Sequence, residues 1–194
     1  KQIRAWMDAG LSPVPISVNQ TKLLLYEDDY VERICAITQR YGVPSRYITL
    51  EILEGLALEN PKQVSARIDR LHSYGFRISM DDFGTGYSSL TTLSQLPIDE
   101  LKLDRSFLLQ VDQSTEHTRR NILGAVIEVA KRLHISTVAE GIETSEHVQL
   151  MQEMRCDYGQ GYYYSRPIPA AEFTDIFLQA DGIRSNRSPI NCDQ

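Results

Sequence analysis

The chain has 194 residues, 42% of them hydrophobic and 24% charged, which is ordinary for one soluble globular domain. A formal net charge of −6 provides no general basic face, which argues against a long nucleic acid as partner. No apolar run approaches the ~20 residues that span a bilayer, and the first residues lack the layout of a signal peptide.

The cysteines and the first residues indicate the setting of the domain. Cys35, Cys156 and Cys192 are odd in number and form no CxxC pair, which favours a reducing compartment over a disulfide framework or zinc site. We therefore expect a domain that faces the cytosol. The chain begins at Lys1, in the middle of a predicted helix, so we expect it to be part of a longer protein. The sequence leaves open whether that protein carries a sensory domain, a cyclase domain or a membrane anchor.

Strand-like and helix-like segments alternate along the chain. The predicted strands are Pro15–Asn19, Tyr47–Ile52, Phe76–Asp82, Asp99–Asp104, Ile135–Glu140 and a run near Tyr158–Tyr163. The predicted helices are Asp29–Tyr41, Asn60–Tyr74, Glu116–Leu133, Glu146–Met154 and Ala170–Leu178. This alternation predicts a parallel sheet with crossover helices.

Two of the predicted helices carry clear local signals. The first has Asn60 as N-cap, Pro61 at the first helical position and Gly75 where the helix would end. Its apolar stripe is Val64, Ile68 and Leu71. For the long helix Glu116–Leu133, the predicted buried stripe is Ile122, Val126, Val129 and Leu133.

Two α/β architectures fit this pattern. In an open doubly wound sheet, ligands gather at one crevice, whereas in a (β/α)₈ barrel all strand ends face a common mouth. Polar residues end six predicted strands, which favours the TIM-like barrel. A full barrel needs about 250 residues, so we expect the first one or two βα units to be missing here. We assign residues 1–180 to this domain and 181–194 to a flexible tail.

Strand alternation separates a polar face from an aliphatic face in four predicted strands. The polar pairs are Ser17 and Asn19, Thr49 and Glu51, Ser79 and Asp81, and Lys102 and Asp104. The opposite face, which includes Ile16 and Val18, is expected to pack against helices. Glu140 and Gln160 end the last two strands. The pattern predicts a polar site at one end of the sheet.

Asp81 and Asp82 are the strongest site candidates. Adjacent residues of a regular strand point in opposite directions, so both can face one site only if the strand ends or bulges there. Gly84 and Gly86 follow and permit the unusual φ values of such a turn. Oxygen donors of this kind suit Mg²⁺ or Mn²⁺, and two ions would clamp a phosphodiester and activate water. Lys102 could hold that water or neutralise developing charge, and Glu140 is either a ligand or a base.

The segment Asp81–Leu90, Asp-Asp-Phe-Gly-Thr-Gly-Tyr-Ser-Ser-Leu, resembles the signature of the EAL-domain family, bacterial phosphodiesterases that act on cyclic di-GMP. The other family motifs follow in order: Ser17-Val18-Asn19, Glu51-Ile52-Leu53-Glu54, Lys102-Leu103-Asp104, Ala139-Glu140-Gly141-Ile142-Glu143, Gln160-Gly161-Tyr162 and Arg166-Pro167. The resemblance extends to about Phe177. It implies a TIM-like barrel that opens cyclic di-GMP to linear pGpG with two Mg²⁺ or Mn²⁺ ions.

The resemblance also implies roles for individual residues. Metal ligands would be Asn19, Glu51, Asp81, Asp82 and Glu140, with Asp81 as the bridge between ions. Lys102 and Gln160, with Asp104 beside them, would order the catalytic water. Glu54 would support the loop Gly84–Ser89, which contributes to metal binding and to a homodimer. Beside the resemblance, Gly84 and Gly86 are expected to shape the turn of this loop, and Glu143 either has a supporting role or favours the N-terminus of the next helix. The residues themselves, rather than the resemblance, suggest Arg166 as a weaker candidate for a phosphate contact. Tyr162 would either stack a guanine or, as is more common for an aromatic run at a strand end, pack within the barrel.

Two departures from the family pattern stand out. The Glu-Ala-Leu strand is absent from the sequence, so one ligand is missing and metal binding by these 194 residues alone is expected to be poor. Leu53 replaces the usual threonine between two intact glutamates, which we expect to be tolerated. The main alternative function is a receptor that binds cyclic di-GMP without cleaving it. A purely structural or dimerisation module is disfavoured by the filled polar rim.

Overall fold

The computed structural model describes residues 1–55, 60–84, 90–108 and 113–179, and within these ranges six parallel strands form one sheet. The strands are β1 Ile16–Asn19, β2 Ile48–Leu53, β3 Arg77–Phe83, β4 Glu100–Leu103, β5 Ser136–Ala139 and β6 Tyr158–Gly159. Their order in the sheet is their order in the sequence. A doubly wound sheet needs a reversal of strand order, so the sequential order confirms the barrel-type prediction.

Helices lie between the successive strands, before β1 and after β6. They are α1 Gln2–Asp8, α2 Lys22–Leu25, α3 Tyr30–Arg40, α4 Pro61–Ser73, α5 Leu90–Gln95, α6 Gln113–Arg132, α7 Ser145–Glu153 and α8 Ala170–Phe173. Short 3₁₀ turns occur at Ser45–Tyr47 and Arg105–Phe107, and α8 continues into a π-helical turn at Thr174–Leu178. The predicted tail, residues 181–194, lies outside the described ranges.

Helix α4 forms as its local signals predict. The Asn60 side chain accepts a hydrogen bond from the Gln63 N–H, and Pro61 begins the helix. Val64, Ile68 and Leu71 are buried in the main core together with strand residues such as Ile78. Here the cap, the breaker and the apolar stripe agree, so the local sequence was sufficient.

Helix α6 buries a stripe that shares one residue, Val126, with the predicted stripe. Ile122 is 50% exposed and Leu133 is 39% exposed, so neither belongs to the core. The core residues of this helix are Leu123, Val126, Ile127 and Ala130. The helix carries apolar side chains over a wide arc, and the 3.6-residue period alone does not decide which part of that arc faces the sheet.

Three further details differ from the sequence prediction. Val18 is 42% exposed because β1 is an edge strand of the described sheet, so this part of the aliphatic face is not packed against a helix. Strand β6 has two residues and is shorter than the predicted run. The short helices α2 and α5 were not predicted, since four and six residues are too few to show a helical period.

The two ends of the described chain meet on one side of the sheet. The Trp6 indole N–H donates a 2.7 Å hydrogen bond to Thr174 Oγ1, and the Trp6 ring packs against Phe173. Ile3, Trp6, Val43 and Leu178 form a second core there. The helical layer therefore curls round to bring α1 and α8 together, as the geometry of a barrel requires.

Within the described ranges, no helix combines the length and the apolar character needed to cross a bilayer.

Candidate metal-binding and catalytic site

Parallel pairing places the predicted polar residues on one face of the sheet. Asn19 of β1 lies beside Glu51 of β2, and Glu51 lies beside Ser79 of β3. Asp81 follows two residues after Ser79 and therefore shares its face. The polar faces predicted for separate strands thus form one continuous surface.

Lys102 of β4 lies at the centre of this surface. Its Nζ atom is 3.1 Å from Glu51 Oε1, 2.9 Å from Asp81 Oδ1 and 2.7 Å from Glu140 Oε1. The three carboxylates come from β2, from β3 and from the residue after β5. Glu51, Asp81 and Lys102 are buried, and Glu140 is half-buried. Four residues spread over 90 positions of the chain therefore meet at one point, as the barrel prediction required.

The strand β3 bulges at the paired aspartates, as predicted. Its pairing with β4 shifts between Met80 and Phe83, and Asp82 adopts a φ of +58°. The left-handed backbone turns the Asp82 side chain back toward the site and lets its N–H donate to Asp81 Oδ1 at 3.0 Å. Gly84 follows with a φ of +106°, and a Cβ there would lie 2.2 Å from the Phe107 ring. Gly86, which was also predicted to support this turn, lies outside the described residues.

Asp81, Asp82 and Glu140 form a carboxylate cluster that could hold a metal ion. One oxygen from each lies within 4.8 Å of the others. Hard oxygen donors at this spacing suit Mg²⁺ or Mn²⁺ better than zinc. Glu51 reaches the same cluster through Lys102, and Asn19 lies beside Glu51 at the exposed end of β1. The donor set therefore fits a site for hard cations.

Burial and mutual repulsion shift the ionisation of this cluster. Burial raises the pKa of Glu140 above its ordinary value, although Lys102 acts in the opposite direction. Burial and then the negative charge of Asp81 raise the pKa of Asp82. Burial alone would lower the pKa of Lys102, but its hydrogen bonds to Glu140 and Asp81 outweigh that effect and raise it. Lys102 is therefore a firmly held cation close to two carboxyl groups, Asp82 and Glu140, whose pKa values are raised.

A cavity of about 350 Å³ opens beside Glu140. Among its lining residues are the predicted Asp104, Glu143, Gln160 and Tyr162. Asp104 also caps the following 3₁₀ turn, where its Oδ1 accepts the Ser106 N–H at 2.9 Å. Although burial raises the pKa of Asp104, the hydrogen bonds from Ser106 outweigh it and lower that pKa overall. The cavity therefore lies between Glu140 of the acidic cluster and exposed residues such as Gln160 and Tyr162.

A protein-family model described as "EAL domain" matches residues 1–167. The chain belongs to the EAL domain family.

Individual relatives agree with this assignment. The cyclic di-GMP phosphodiesterase NbdA of Pseudomonas aeruginosa is 35% identical over 180 residues, which cover 93% of this chain and 23% of NbdA. The signaling protein YkoW of Bacillus subtilis is 34% identical over 179 residues, 92% of this chain and 22% of YkoW. This EAL domain thus spans about a quarter or less of the length of these relatives.

Solved EAL structures share the fold. The EAL domain of Mycobacterium smegmatis DcpA matches with a TM-score of 0.81 and 31% identity, covering 90% of this chain and 78% of that one. The PaMucR phosphodiesterase in complex with c-di-GMP matches with a TM-score of 0.80 and 31% identity, covering 89% of this chain and 69% of that one. The TIM-like barrel predicted from the sequence is therefore the fold of this EAL domain.

The remaining predicted site residues of this EAL domain lie around the cluster. Glu54 is buried just after β2, where it was expected to support the Gly84 loop. Glu143 is exposed, and its N–H donates to His147 Nδ1 at 3.3 Å. The Arg166 guanidinium lies 4.6 Å from the ring centre of Tyr162, and both side chains are exposed. The roles predicted for these four residues, in supporting the loop and in contacting the substrate, stay predictions.

Sequence reasoning missed two glycines and an arginine at the cavity. A Cβ at Gly141 would lie 2.5 Å from Arg105 Cβ, and one at Gly161 would lie 2.1 Å from the Ile142 carbonyl oxygen. Both glycines therefore allow close approach between neighbouring rim loops. Their positions directly after the site candidates Glu140 and Gln160 could have indicated this role from the sequence. Arg105 lines the same cavity. It directly follows the predicted Asp104 in the sequence, but it was not predicted to belong to the site.

Proposed function

We propose that this EAL domain hydrolyses cyclic di-GMP to linear pGpG with two Mg²⁺ or Mn²⁺ ions. The observation that carries the proposal is the convergence of Glu51, Asp81 and Glu140 on Lys102. A binding module needs polar contacts, but it does not need buried carboxylates held close together against their mutual repulsion. NbdA, which is named a cyclic di-GMP phosphodiesterase, supports the same substrate.

Metal ions would be held by Asn19, Glu51, Asp81, Asp82 and Glu140, with Asp81 as the bridge. When bound, they would supply a Lewis acid for the phosphodiester and lower the pKa of a water molecule. Glu140 would act as ligand, as base or as both, since burial raises its pKa and makes it a stronger proton acceptor than an ordinary carboxylate. Lys102 would neutralise negative charge that develops at the phosphate.

Rim residues complete the proposed site. Gln160 and Asp104 line the cavity beside Glu140 and would help to orient the water. The Tyr162 ring with Arg166 above it offers an aromatic face and a cation for a guanine and a phosphate. Glu54, Gly84, Gly86 and Glu143 would hold the loop after β3.

Domain limits and assembly are part of the proposal. We assign residues 1–180 to the domain and 181–194 to a flexible tail, and we infer a homodimer, as the resemblance to the family implies. Since the relatives are several times longer, we further propose that sensory or cyclase domains accompany this domain in a protein that presents it to the cytosol.

The test is to incubate the full-length parent protein with cyclic di-GMP and Mn²⁺ or Mg²⁺ and to follow linear product by chromatography. We expect product with either ion and none after treatment with EDTA. Binding of cyclic di-GMP without cleavage, under conditions where Mn²⁺ is bound, would contradict the proposal and favour a receptor.

A further inference from the structure

Lys102 is buried and forms ion pairs with three carboxylates, although its proposed role is only to contact the substrate phosphate. Its side chain is 7% exposed, and its single ammonium group forms three ion pairs at 2.7–3.1 Å. All three partners are proposed metal ligands. The Lys102 ammonium group thus contacts two members, Asp81 and Glu140, of the carboxylate cluster that could hold a metal ion.

The electrostatic balance explains why a cation is needed at this point. Glu51, Asp81 and Glu140 would repel one another if they were ionised and buried without a counter-charge. One ammonium group against three carboxylates leaves the cluster with net negative charge even before Asp82 is counted. The cluster is therefore stabilised by Lys102 and still attracts a further cation.

The hydrogen bonds of Asp81 show that the ammonium and a bridging ligand compete. Asp81 Oδ1 accepts from Lys102 Nζ at 2.9 Å and from the Asp82 N–H at 3.0 Å. A carboxylate oxygen has two lone pairs, and both lone pairs of Asp81 Oδ1 are engaged by these two donors. Asp81 Oδ1 can therefore coordinate a metal ion only after one of these donors moves away, and the long lysine side chain can move more easily than the backbone N–H.

We propose that Lys102 is the built-in counter-ion of the metal-free site and that metal binds by displacing its ammonium from Asp81 and Glu140. This inference rests on the proposed metal site and adds the order of events to it. The flexible four-carbon stem of lysine allows the ammonium to move while its backbone stays in β4. After displacement, the Lys102 ammonium no longer pairs with Asp81 and Glu140 and can contact the substrate phosphate. Lys102 is therefore available to the phosphate only when metal is bound.

The first experiment measures Mn²⁺ binding to the metal-stripped full-length protein by calorimetry. Lys102→Met removes the competing charge, and we expect the first Mn²⁺ to bind at least about tenfold more tightly than in the wild type. Lys131→Met changes an exposed lysine of α6 in the same way and is the matched control, with wild-type affinity expected. Lys102→Arg keeps a positive charge and should bind Mn²⁺ no more tightly than the wild type.

If Lys102→Met binds Mn²⁺ with unchanged or weaker affinity, the proposed displacement of Lys102 by metal is wrong, although the metal site itself is still supported. Absence of Mn²⁺ binding in every variant, the wild type included, would overturn the metal site and with it the proposed function. The two failures are therefore distinguishable.

A second measurement uses the wild type and does not depend on the stability of a variant. Crystals of the protein with Mn²⁺, located by its anomalous signal, report the distance from Lys102 Nζ to Asp81 Oδ1. We expect this distance to increase from 2.9 Å to beyond the ~4 Å limit of an ion pair. Bound Mn²⁺ with all three ion pairs of Lys102 intact would overturn the proposal.

Discussion

Carboxylates at the carboxyl end of the sheet share one lysine, whereas those at the amino end are bound by backbone N–H groups. At the carboxyl end, Glu51, Asp81 and Glu140 all contact Lys102. At the amino end, Asp99 Oδ2 accepts the Ile78 N–H at 2.7 Å and lies 2.9 Å from His72 Nε2. The same residue types thus occur in two very different electrostatic settings.

A second acid repeats the arrangement of the amino end. Asp157, just before β6, accepts from both the N–H and the hydroxyl of Thr137 in β5, each at 2.8 Å. Asp99 stands just before β4 and contacts β3 in the same way. Each carboxylate ties the start of one strand to its neighbour, and its hydrogen bonds are already made. We infer that acids at the amino end stabilise the sheet, while those at the carboxyl end remain available for a ligand.

The largest effect is expected from Glu140→Gln at the carboxyl end. The amide keeps the shape of the side chain but neither binds a metal ion as a carboxylate nor accepts a proton. We expect kcat/KM for cyclic di-GMP to fall by about 10³-fold or more in the full-length protein, with little loss of stability. Near-normal turnover would remove Glu140 from the mechanism.

Gly161→Ala tests a rim position whose role is structural. The added Cβ would lie 2.1 Å from the Ile142 carbonyl oxygen, so the backbone must move. We expect a loss of stability on the order of 3 kcal/mol in urea denaturation, together with lower turnover because Gln160 shifts. Gly124→Ala is the control: its Cβ meets nothing within 4 Å, and α6 should gain about 0.5–1 kcal/mol. Equal stability of both variants would contradict the close approach.

Asp157→Ala is expected to lower stability without lowering turnover, the opposite of the result expected for Glu140→Gln. It removes two hydrogen bonds and leaves the Thr137 N–H without its acceptor, so we expect a loss of about 2 kcal/mol in the free energy of unfolding. Turnover at a temperature where the protein stays folded should be unchanged. A fall in kcat/KM comparable to that of Glu140→Gln would break the distinction between the two ends. Asp157→Asn, which keeps one acceptor oxygen, should lose less stability.

The smallest effect is expected from Asn60→Ala. Asn60 begins the helix that follows β2, and its side chain bonds to Gln63, accepting from the Gln63 N–H and donating to Gln63 Oε1. We expect a loss of about 1 kcal/mol of stability and no change in turnover, and only a few tenths of a kcal/mol for Asn60→Gly. Reduced activity in a folded Asn60→Ala protein would show that position near the carboxyl end is enough to affect catalysis.

The two longer helices illustrate how far local sequence predicts structure. In α4, cap, proline and apolar stripe all indicate the same helix, and the structure agrees. In α6 the helix forms where expected and the predicted Val126 is buried, but the other buried residues are Leu123, Ile127 and Ala130. Local patterns predict whether a helix forms, while the buried face depends on the neighbouring elements.

The candidate site shows the same division. The sequence predicted that the strand would end or bulge at Asp81 and Asp82 because two adjacent carboxylates cannot otherwise face one site, and the structure shows the bulge. It also predicted that strand-end residues would meet. It did not predict that Lys102 would contact three carboxylates at once, since contact distances between strands are not encoded in the spacing along the chain.

The sequence by itself determined the alternation of strands and helices and the chemical nature of the residues at the strand ends. These follow from residue type and from periods of two and 3.6, which are local properties. Only the tertiary structure decided that α1 meets α8, that Gly161 lies against Ile142, and that one lysine contacts carboxylates from β2, from β3 and from the residue after β5. Those facts depend on how the sheet curls, which arises from packing over the whole domain.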